Sequence, residues 1–315
     1  MIAARPLTTA EGAALTRRVT LFSVSTAAIL VTLKIAAWLI SGSVAMLASM
    51  ADSGLDLVAS LATFYAVRYA VAPPDAEHRY GHGKAEAFAS LVQAGLVFGS
   101  AALVGREAIA DLVHPHPLQQ EGWAVGVMAI SVALTSLLLV AQARVLRRTK
   151  SVAVSGDRAH YAMDLASNGV GLVGIGISAW LGLNWLDAAA ALVISALLLW
   201  GAIGVFREAS GQLMDRELPD EDRARIVALM TQDGRLTDVH QLRTRASGPF
   251  VHIQMHVDLD PQLTLEIAHQ VIVAAEKRVL DAFPSADILI HADPRGTAEP
   301  HGGAFAEMHA HEGHT

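Results

Sequence analysis

Six long apolar segments constrain the fold of this chain more than any other feature of its sequence. They lie at about 19–40, 44–70, 84–112, 122–145, 153–181 and 185–206. Each is near the roughly 20 residues that an α-helix needs to cross the hydrocarbon core of a bilayer. The composition agrees, because 53% of the 315 residues are hydrophobic and only 17% are charged. The sequence therefore predicts a polytopic α-helical membrane protein with six transmembrane helices.

The distribution of basic residues predicts the orientation of these helices. The connections "SGS", "HPHPLQQEG" and "GLN" contain no lysine or arginine. The opposite helix ends carry Arg17, Arg18, Arg68, Arg79, Lys84, Arg144, Arg147, Arg148, Lys150 and Arg207. By the positive-inside rule, both termini are predicted to be cytoplasmic. A net charge of −7 argues against a nucleic-acid partner, and the absence of cysteine excludes thiolate metal sites.

The pattern changes after Glu208, where a smaller domain is predicted. A helix "LPDEDRARIVALMTQ" precedes two strands, "DVHQLRTRAS" and the strictly alternating "FVHIQMHVDLD". An amphipathic helix, "LTLEIAHQVIVAAEKRVLDAF", and a last strand, "ADILIHAD", complete an α+β domain in the order αββαβ. The predicted regions are a cytoplasmic N-terminus (1–18), a transmembrane domain (19–208), a cytoplasmic domain (209–294) and a disordered histidine-bearing tail (295–315).

Four polar residues inside the apolar segments predict an intramembrane site. Asp52 and Asp56 are spaced i, i+4 in "MADSGLDLVAS", and His160 and Asp164 are spaced i, i+4 in "HYAMD". A carboxylate at the bilayer centre costs about 2.5 kcal/mol or more, so such groups usually serve a function. Three carboxylates and one imidazole would suit a tetrahedral zinc ion. A single aspartate could instead hydrogen-bond a neighbour such as Asn168.

The depths of the two pairs do not match by simple counting. From the outer helix ends, Asp52 is about 9 residues in and Asp164 about 17. At 1.5 Å per residue these counts correspond to ~14 Å and ~26 Å. Helix tilt, or a fifth helix that projects beyond the bilayer, would have to absorb the difference.

Two further groups of potential ligands lie on the cytoplasmic side. Asp75, His78 and His82 share one loop, whose spacing fits either a metal site or a solvated loop. The α+β domain carries His240, His256, His269, His291 and Asp293 on separate predicted elements. These residues could form a metal cluster, and solvated surface histidines would explain the count equally well. His252 is either a surface residue or a further ligand.

These residues lie within motifs that together resemble the cation diffusion facilitator family, from Arg17 to Pro294. The motifs are "MADSGLDLVASL", "HRYGHGKAEA", "SGDRAHYAMDLASNG", "LMDRELPDE", "HQLRTRASGP" and "ILIHADP". The resemblance implies a ferredoxin-like (metallochaperone-like) cytoplasmic domain and three sites. These are a transport site (Asp52, Asp56, His160, Asp164), a loop site (Asp75, His78, His82) and a binuclear zinc site (His240, His256, His269, His291, Asp293). His252 and the tail histidines depart from the family pattern.

The resemblance also implies how the protein assembles and what it does. The binuclear zinc site would stabilise a homodimer, and Lys84 and Asp215 would form a charged pair that interlocks at its membrane–cytosol junction. The predicted function is a divalent cation/proton antiporter that exports Zn²⁺, with Cd²⁺ and Fe²⁺ as further ions, across the bacterial inner membrane by alternating access. It would be a secondary transporter rather than an enzyme, and no H-E-x-x-H motif indicates a metallopeptidase. The alternatives are Mn²⁺ or Fe²⁺ as the physiological ion, or a membrane metal sensor that does not transport.

Overall fold

The structure is a computed structural model that describes residues 7–41, 44–113, 122–181 and 184–296. The chain divides into two compact units, a helical unit over Ala10–Met214 and a second unit that contains the chain from Asp215 onward. The predicted tail lies outside the described residues from position 297, as do the first six residues of the predicted N-terminus. Each unit is described by itself below.

The described residues of the helical unit form six helices, α1 to α6, at the six predicted segments. They span Thr9–Ser41, Val44–Ala70, Lys84–Val113, Gly122–Thr149, Val152–Leu181 and Asn184–Leu213. Among the described residues, α1, α3, α4 and α6 are long and apolar enough to cross a membrane. The other two helices, α2 and α5, have 27 and 30 residues and carry the acidic residues of the predicted intramembrane site.

Helix α5 lies at the centre of this unit, in contact with α2, α3, α4 and α6. Its approach to α3 depends on Gly156, because a Cβ atom there would lie only 2.8 Å from Ser90 Oγ and 3.0 Å from Ser90 Cα. Small residues allow such close helix packing in membranes. The central position of α5 brings its polar side chains next to those of four neighbouring helices.

The second unit has the element order that the sequence pattern predicts. Helix α7 (Asp220–Met230) is followed by a short 3₁₀ turn (Thr231–Asp233) and by the strands β1 (Leu236–Ser247) and β2 (Phe250–Leu259). Helix α8 (Leu265–Ala282) and strand β3 (Ala286–Pro294) complete the unit. The central strand β2 pairs antiparallel with β1 and parallel with β3. The parallel pair needs a crossover connection, which α8 supplies.

Alternation along β2 separates a core face from a polar face. Ile253, Met255, Val257 and Leu259 are buried in one cluster with residues of α7 and α8. Because successive strand residues point to opposite faces, the even-numbered residues of β2 lie on the other face. That polar face carries His256, whose register partners on β1 and β3 are His240 and His291.

Candidate metal centres

The structure brings three of the four predicted transport-site residues together between α2 and α5. His160 Nε2 lies 2.9 Å from Asp56 Oδ1 and 3.8 Å from Asp164 Oδ2. Each of the three residues offers a ligand atom within 4.8 Å of the others. Asp56 is 9% exposed and His160 5%, so these polar groups meet in the interior of the helical unit. We call Asp56, His160 and Asp164 the intramembrane trio.

Asp52, the fourth predicted ligand, lies at the edge of this group. Its side chain is exposed, and it is not among the residues whose ligand atoms meet. It nevertheless interacts electrostatically with Asp56, Lys34 and His160. Asp52 is therefore close enough to interact with the charges of the trio, but its carboxylate is not grouped with the ligand atoms of the trio.

Lys34 is a buried cation beside this site that the sequence analysis did not select. Its side chain is 7% exposed. The ammonium donates to Ser53 Oγ at 2.6 Å and to the Ser49 carbonyl at 3.2 Å, both on α2. The signal was available, since a lysine inside an apolar segment is as unusual as an aspartate there.

Asp157 is a second polar group that the sequence analysis did not select. It is 1% exposed and lies three residues before His160. Gln142 Nε2 of α4 donates to it at 2.8 Å and Gln93 Nε2 of α3 at 3.4 Å, while Ser60 Oγ of α2 lies at 3.5 Å. One carboxylate of α5 is thus tied to three other helices. The i, i+3 spacing from His160 is the signal that would have found it.

The loop between α2 and α3 holds the predicted loop site in a compact arrangement. His78 Nδ1 lies 3.2 Å from Asp75 Oδ1, and His82 Nε2 lies 3.2 Å from Asp75 Oδ2. Gly81 has φ +78°, a left-handed conformation that favours glycine, and so turns the chain between the two histidines. The backbone N–H of His78 donates to Asp75 at 2.6 Å, and such bonds hold the pKa of this carboxyl below its usual value.

In the second unit, strand register places three histidines side by side. His240 of β1 is the partner of His256 of β2, and His256 is the partner of His291 of β3. Asp293 joins them, because its carboxylate lies 2.9 Å from His256 Nδ1, 3.3 Å from His240 Nε2 and 3.3 Å from His291 Nε2. These four residues form what we call the sheet cluster. Imidazole nitrogens and a carboxylate are donors that zinc prefers, so the cluster fits that ion.

Electrostatics in the sheet cluster keep its carboxylate ionised. Burial raises the pKa of Asp293, but the hydrogen bond with His256 and the charges of the three histidines leave that pKa below its usual value. Asp258, which the sequence analysis did not select, lies 3.8 Å from His240 Nδ1 on the opposite side of that ring from Asp293.

Two other histidines among the described residues of this unit lie apart from the cluster. His269 is exposed on α8, and its place in a binuclear site stays a prediction. His252 is 7% exposed, with Nδ1 at 3.2 Å from Asp287 Oδ2. Of the two alternatives for His252, this burial does not fit a plain surface residue, and one of its partners is Asp287.

Lys84 and Asp215, the predicted interlocking pair, belong to different units, and each has a partner within its own unit. Lys84 Nζ donates to the Leu213 carbonyl at 3.2 Å. Asp215 Oδ1 accepts from Arg245 Nη1 at 3.1 Å. The pairing of Lys84 and Asp215 at a dimer junction stays a prediction.

An apolar helical domain with buried potential ligands, followed by a histidine-bearing α+β domain, is the arrangement expected of a membrane transporter of metal cations. Two protein-family models match the chain. The model of the cation efflux transmembrane domain matches residues 20–214, and the model of the cation efflux protein cytoplasmic domain matches residues 218–295. The chain belongs to the cation efflux family, also called the cation diffusion facilitator family. It is a multi-pass membrane protein with a helical transmembrane domain and a C-terminal cytoplasmic domain that contains a small sheet.

Individual relatives cover nearly the whole chain. The cation-efflux pump FieF of Yersinia enterocolitica is 40% identical over 285 residues, which are 90% of this chain and 93% of that protein. The cation-efflux pump FieF of Salmonella schwarzengrund is 38% identical over 291 residues, 92% of this chain and 97% of its own length. A solved structure of CzrB in its zinc form is 33% identical and covers 27% of this chain and 99% of its own, with a TM-score of 0.26.

Proposed function

We propose that this protein exports Zn²⁺ from the cytoplasm in exchange for protons, and that the intramembrane trio binds the exported ion. The observation that carries the proposal is the contact of His160 Nε2 with Asp56 Oδ1 at 2.9 Å, inside the helical unit. Acidic groups in a membrane are costly unless a cation or a proton compensates them. The curated relatives are named cation-efflux pumps, which supports export rather than uptake.

The donor set favours zinc over harder ions. One imidazole and two carboxylates supply three ligands, and Asp52 on the same face of α2 would supply the fourth of a tetrahedral set. The same donors accept Cd²⁺ and Fe²⁺. Mn²⁺ or Fe²⁺ as the physiological ion is the alternative within this function, because nitrogen and oxygen ligands do not exclude either.

Ligand protonation links metal movement to proton movement. A histidine must be neutral and a carboxylate ionised in order to bind a metal ion, so metal binding displaces protons from the site. Protons that arrive from the outer side then compete with the ion and release it. Exposure of one site alternately to the two membrane faces converts this competition into antiport.

The proposed topology has six transmembrane helices, with both termini in the cytoplasm, in the bacterial inner membrane. The lengths of α2 and α5, 27 and 30 residues, support spanning because a rise of 1.5 Å per residue carries each helix across a core of about 30 Å. The proposed domain limits are 1–18, 19–208, 209–294 and 295–315, and the change of unit at Asp215 supports a boundary in this region.

The cytoplasmic clusters have supporting roles in this proposal. Zinc at the sheet cluster, with His269, holds a homodimer whose junction is interlocked by Lys84 and Asp215. The loop site, formed by Asp75, His78 and His82, binds a metal ion at the membrane edge. The short distances from Asp75 and Asp293 to their neighbouring histidines support both assignments.

Transport by purified protein in liposomes tests the proposal. Zinc, cadmium, iron and manganese are offered singly, with and without an imposed pH gradient. We expect zinc flux that depends on the gradient and is abolished by Asp56→Ala, while Glu107→Ala, at an exposed carboxylate of α3, transports normally. Flux that ignores the gradient would indicate a passive channel, and zinc binding without flux would indicate a sensor.

A further inference from the structure

Lys34 lies where a buried positive charge needs an explanation. It belongs to α1, its side chain is 7% exposed, and its ammonium is anchored to α2 through Ser53 Oγ and the Ser49 carbonyl. An ionisable side chain inside a membrane segment is costly, and it usually pairs with another ionisable group or with backbone carbonyls and marks a functional site. Both anchoring groups are neutral, so they satisfy hydrogen bonds without balancing the charge.

Carboxylates of the proposed transport site lie near enough to interact with the charge of Lys34. Lys34 interacts electrostatically with Asp52 on α2 and with Asp164 on α5. Ser53, the nearer of its two anchors, directly follows Asp52 in the chain. Two hydrogen bonds fix the ammonium on α2, the helix that carries Asp52 and Asp56, and one of them goes to the residue next to Asp52.

We propose that Lys34 is a tethered counter-cation of the transport site, which weakens metal binding and thereby promotes metal release. The inference rests on the proposed function, since it requires that these carboxylates bind the transported ion. A divalent ion at the site is repelled by the ammonium, most strongly in a region of low dielectric constant. After the ion leaves, the ammonium compensates part of the negative charge that remains, so the metal-free state is less costly.

The charge of Lys34 can be removed while most of its hydrogen bonding is kept. Lys34→Gln retains an N–H donor for Ser53, and Lys34→Arg retains the positive charge. Both variants are made in the full-length chain with Asp75→Ala and Asp293→Ala, so that zinc binding to the loop site and the sheet cluster does not obscure the transport site. Zinc affinity is measured by competition with a fluorescent chelator, and the maximal exchange rate is measured in liposomes.

We expect Lys34→Gln to lower the Kd for zinc by about tenfold or more and to lower the maximal exchange rate. Lys34→Arg should leave the Kd within about threefold of the parent. An unchanged Kd in Lys34→Gln, or the same change in both variants, would overturn the proposal. Lys34→Met repeats the test without any donor if the Gln variant does not fold. If the parent chain, with Asp75→Ala and Asp293→Ala, binds zinc but does not exchange it, the proposed function is contradicted. The comparison of Kd values between the Lys34 variants and this parent still tests the role of Lys34 in that case.

Discussion

His160 and Asp56, which are 104 positions apart in the chain, meet with Nε2 and Oδ1 2.9 Å apart between α5 and α2. Asp164 approaches the same nitrogen to 3.8 Å from one helical turn further along α5. The contact joins the "MADSGLDLVAS" and "HYAMD" motifs at one level of the helical unit. His160 is thus the centre of the intramembrane trio, because its Nε2 atom lies near the carboxylates of both Asp56 and Asp164.

His160→Asp should weaken the preference for zinc. The substitution would replace the one nitrogen ligand of the proposed site by oxygen, and all-oxygen sites suit manganese and other hard ions better. We expect the ratio of zinc to manganese transport in liposomes to fall by about tenfold. An unchanged ratio, with transport retained, would show that this ligand does not control ion choice.

Asp157→Asn should destabilise the helical unit. Gln142 and Gln93 both donate to this buried carboxylate, and an asparagine would present a second donor where they require an acceptor. A buried polar group left without its partner costs about 1–3 kcal/mol. The thermal unfolding temperature of the detergent-solubilised protein should therefore fall, whereas Glu107→Gln on the exposed face of α3 should leave it unchanged. Equal unfolding temperatures for both variants would mean that the network contributes little.

Asp75 should stay ionised at a pH where an ordinary aspartate is protonated. Backbone N–H groups of His78 and Glu77 stabilise its carboxylate and lower its pKa. The folded-state pKa lies below the unfolded value, so this stabilisation is present above the unfolded pKa and is lost as pH falls through the folded one. An NMR titration of the side-chain carboxyl should show a midpoint below the usual 3.8. A midpoint at or above that value contradicts the hydrogen-bonded loop.

Removal of zinc should destabilise the cytoplasmic domain. The sheet cluster crosses all three strands, so a metal ion bound there would join β1, β2 and β3 in the folded state only. In the full-length protein we expect chelation to lower the unfolding temperature of this domain, and Asp293→Ala to make that temperature insensitive to zinc. His252→Ala should preserve the zinc response, because His252 pairs with Asp287 outside the cluster. Loss of the response in His252→Ala would assign that histidine to the metal site.

The sequence pattern predicted the helices, the i, i+4 pairs and the strand faces, because these features depend on the spacing of residues that are close in the chain. Hydrophobic segments of sufficient length located the six helices of the helical unit, and the i, i+4 pairs located Asp56, His160 and Asp164. Alternation along β2 separated the buried Ile253 from the polar face that carries His256. These features follow from helix and strand geometry, which short stretches of sequence encode.

Features that depend on how distant segments pack could not be read in this way. Counting from the helix ends gave Asp52 and Asp164 different depths, but it could not tell which predicted ligands meet; Asp52 is exposed and lies outside the trio. The register that aligns His240, His256 and His291 depends on pairing between strands that the pattern does not specify. A lysine inside an apolar segment marks Lys34 as unusual, but its position near the proposed site follows only from its anchors on α2.

Simultaneous recording of zinc and proton fluxes in liposomes tests the central claim most directly. An indicator of each ion is enclosed with the wild-type protein or with Asp56→Ala, and a zinc gradient is imposed without a pH gradient. The account predicts that zinc movement drives protons in the opposite direction, and that Asp56→Ala abolishes both fluxes. Zinc movement without opposing proton movement, or full exchange by Asp56→Ala, would contradict it.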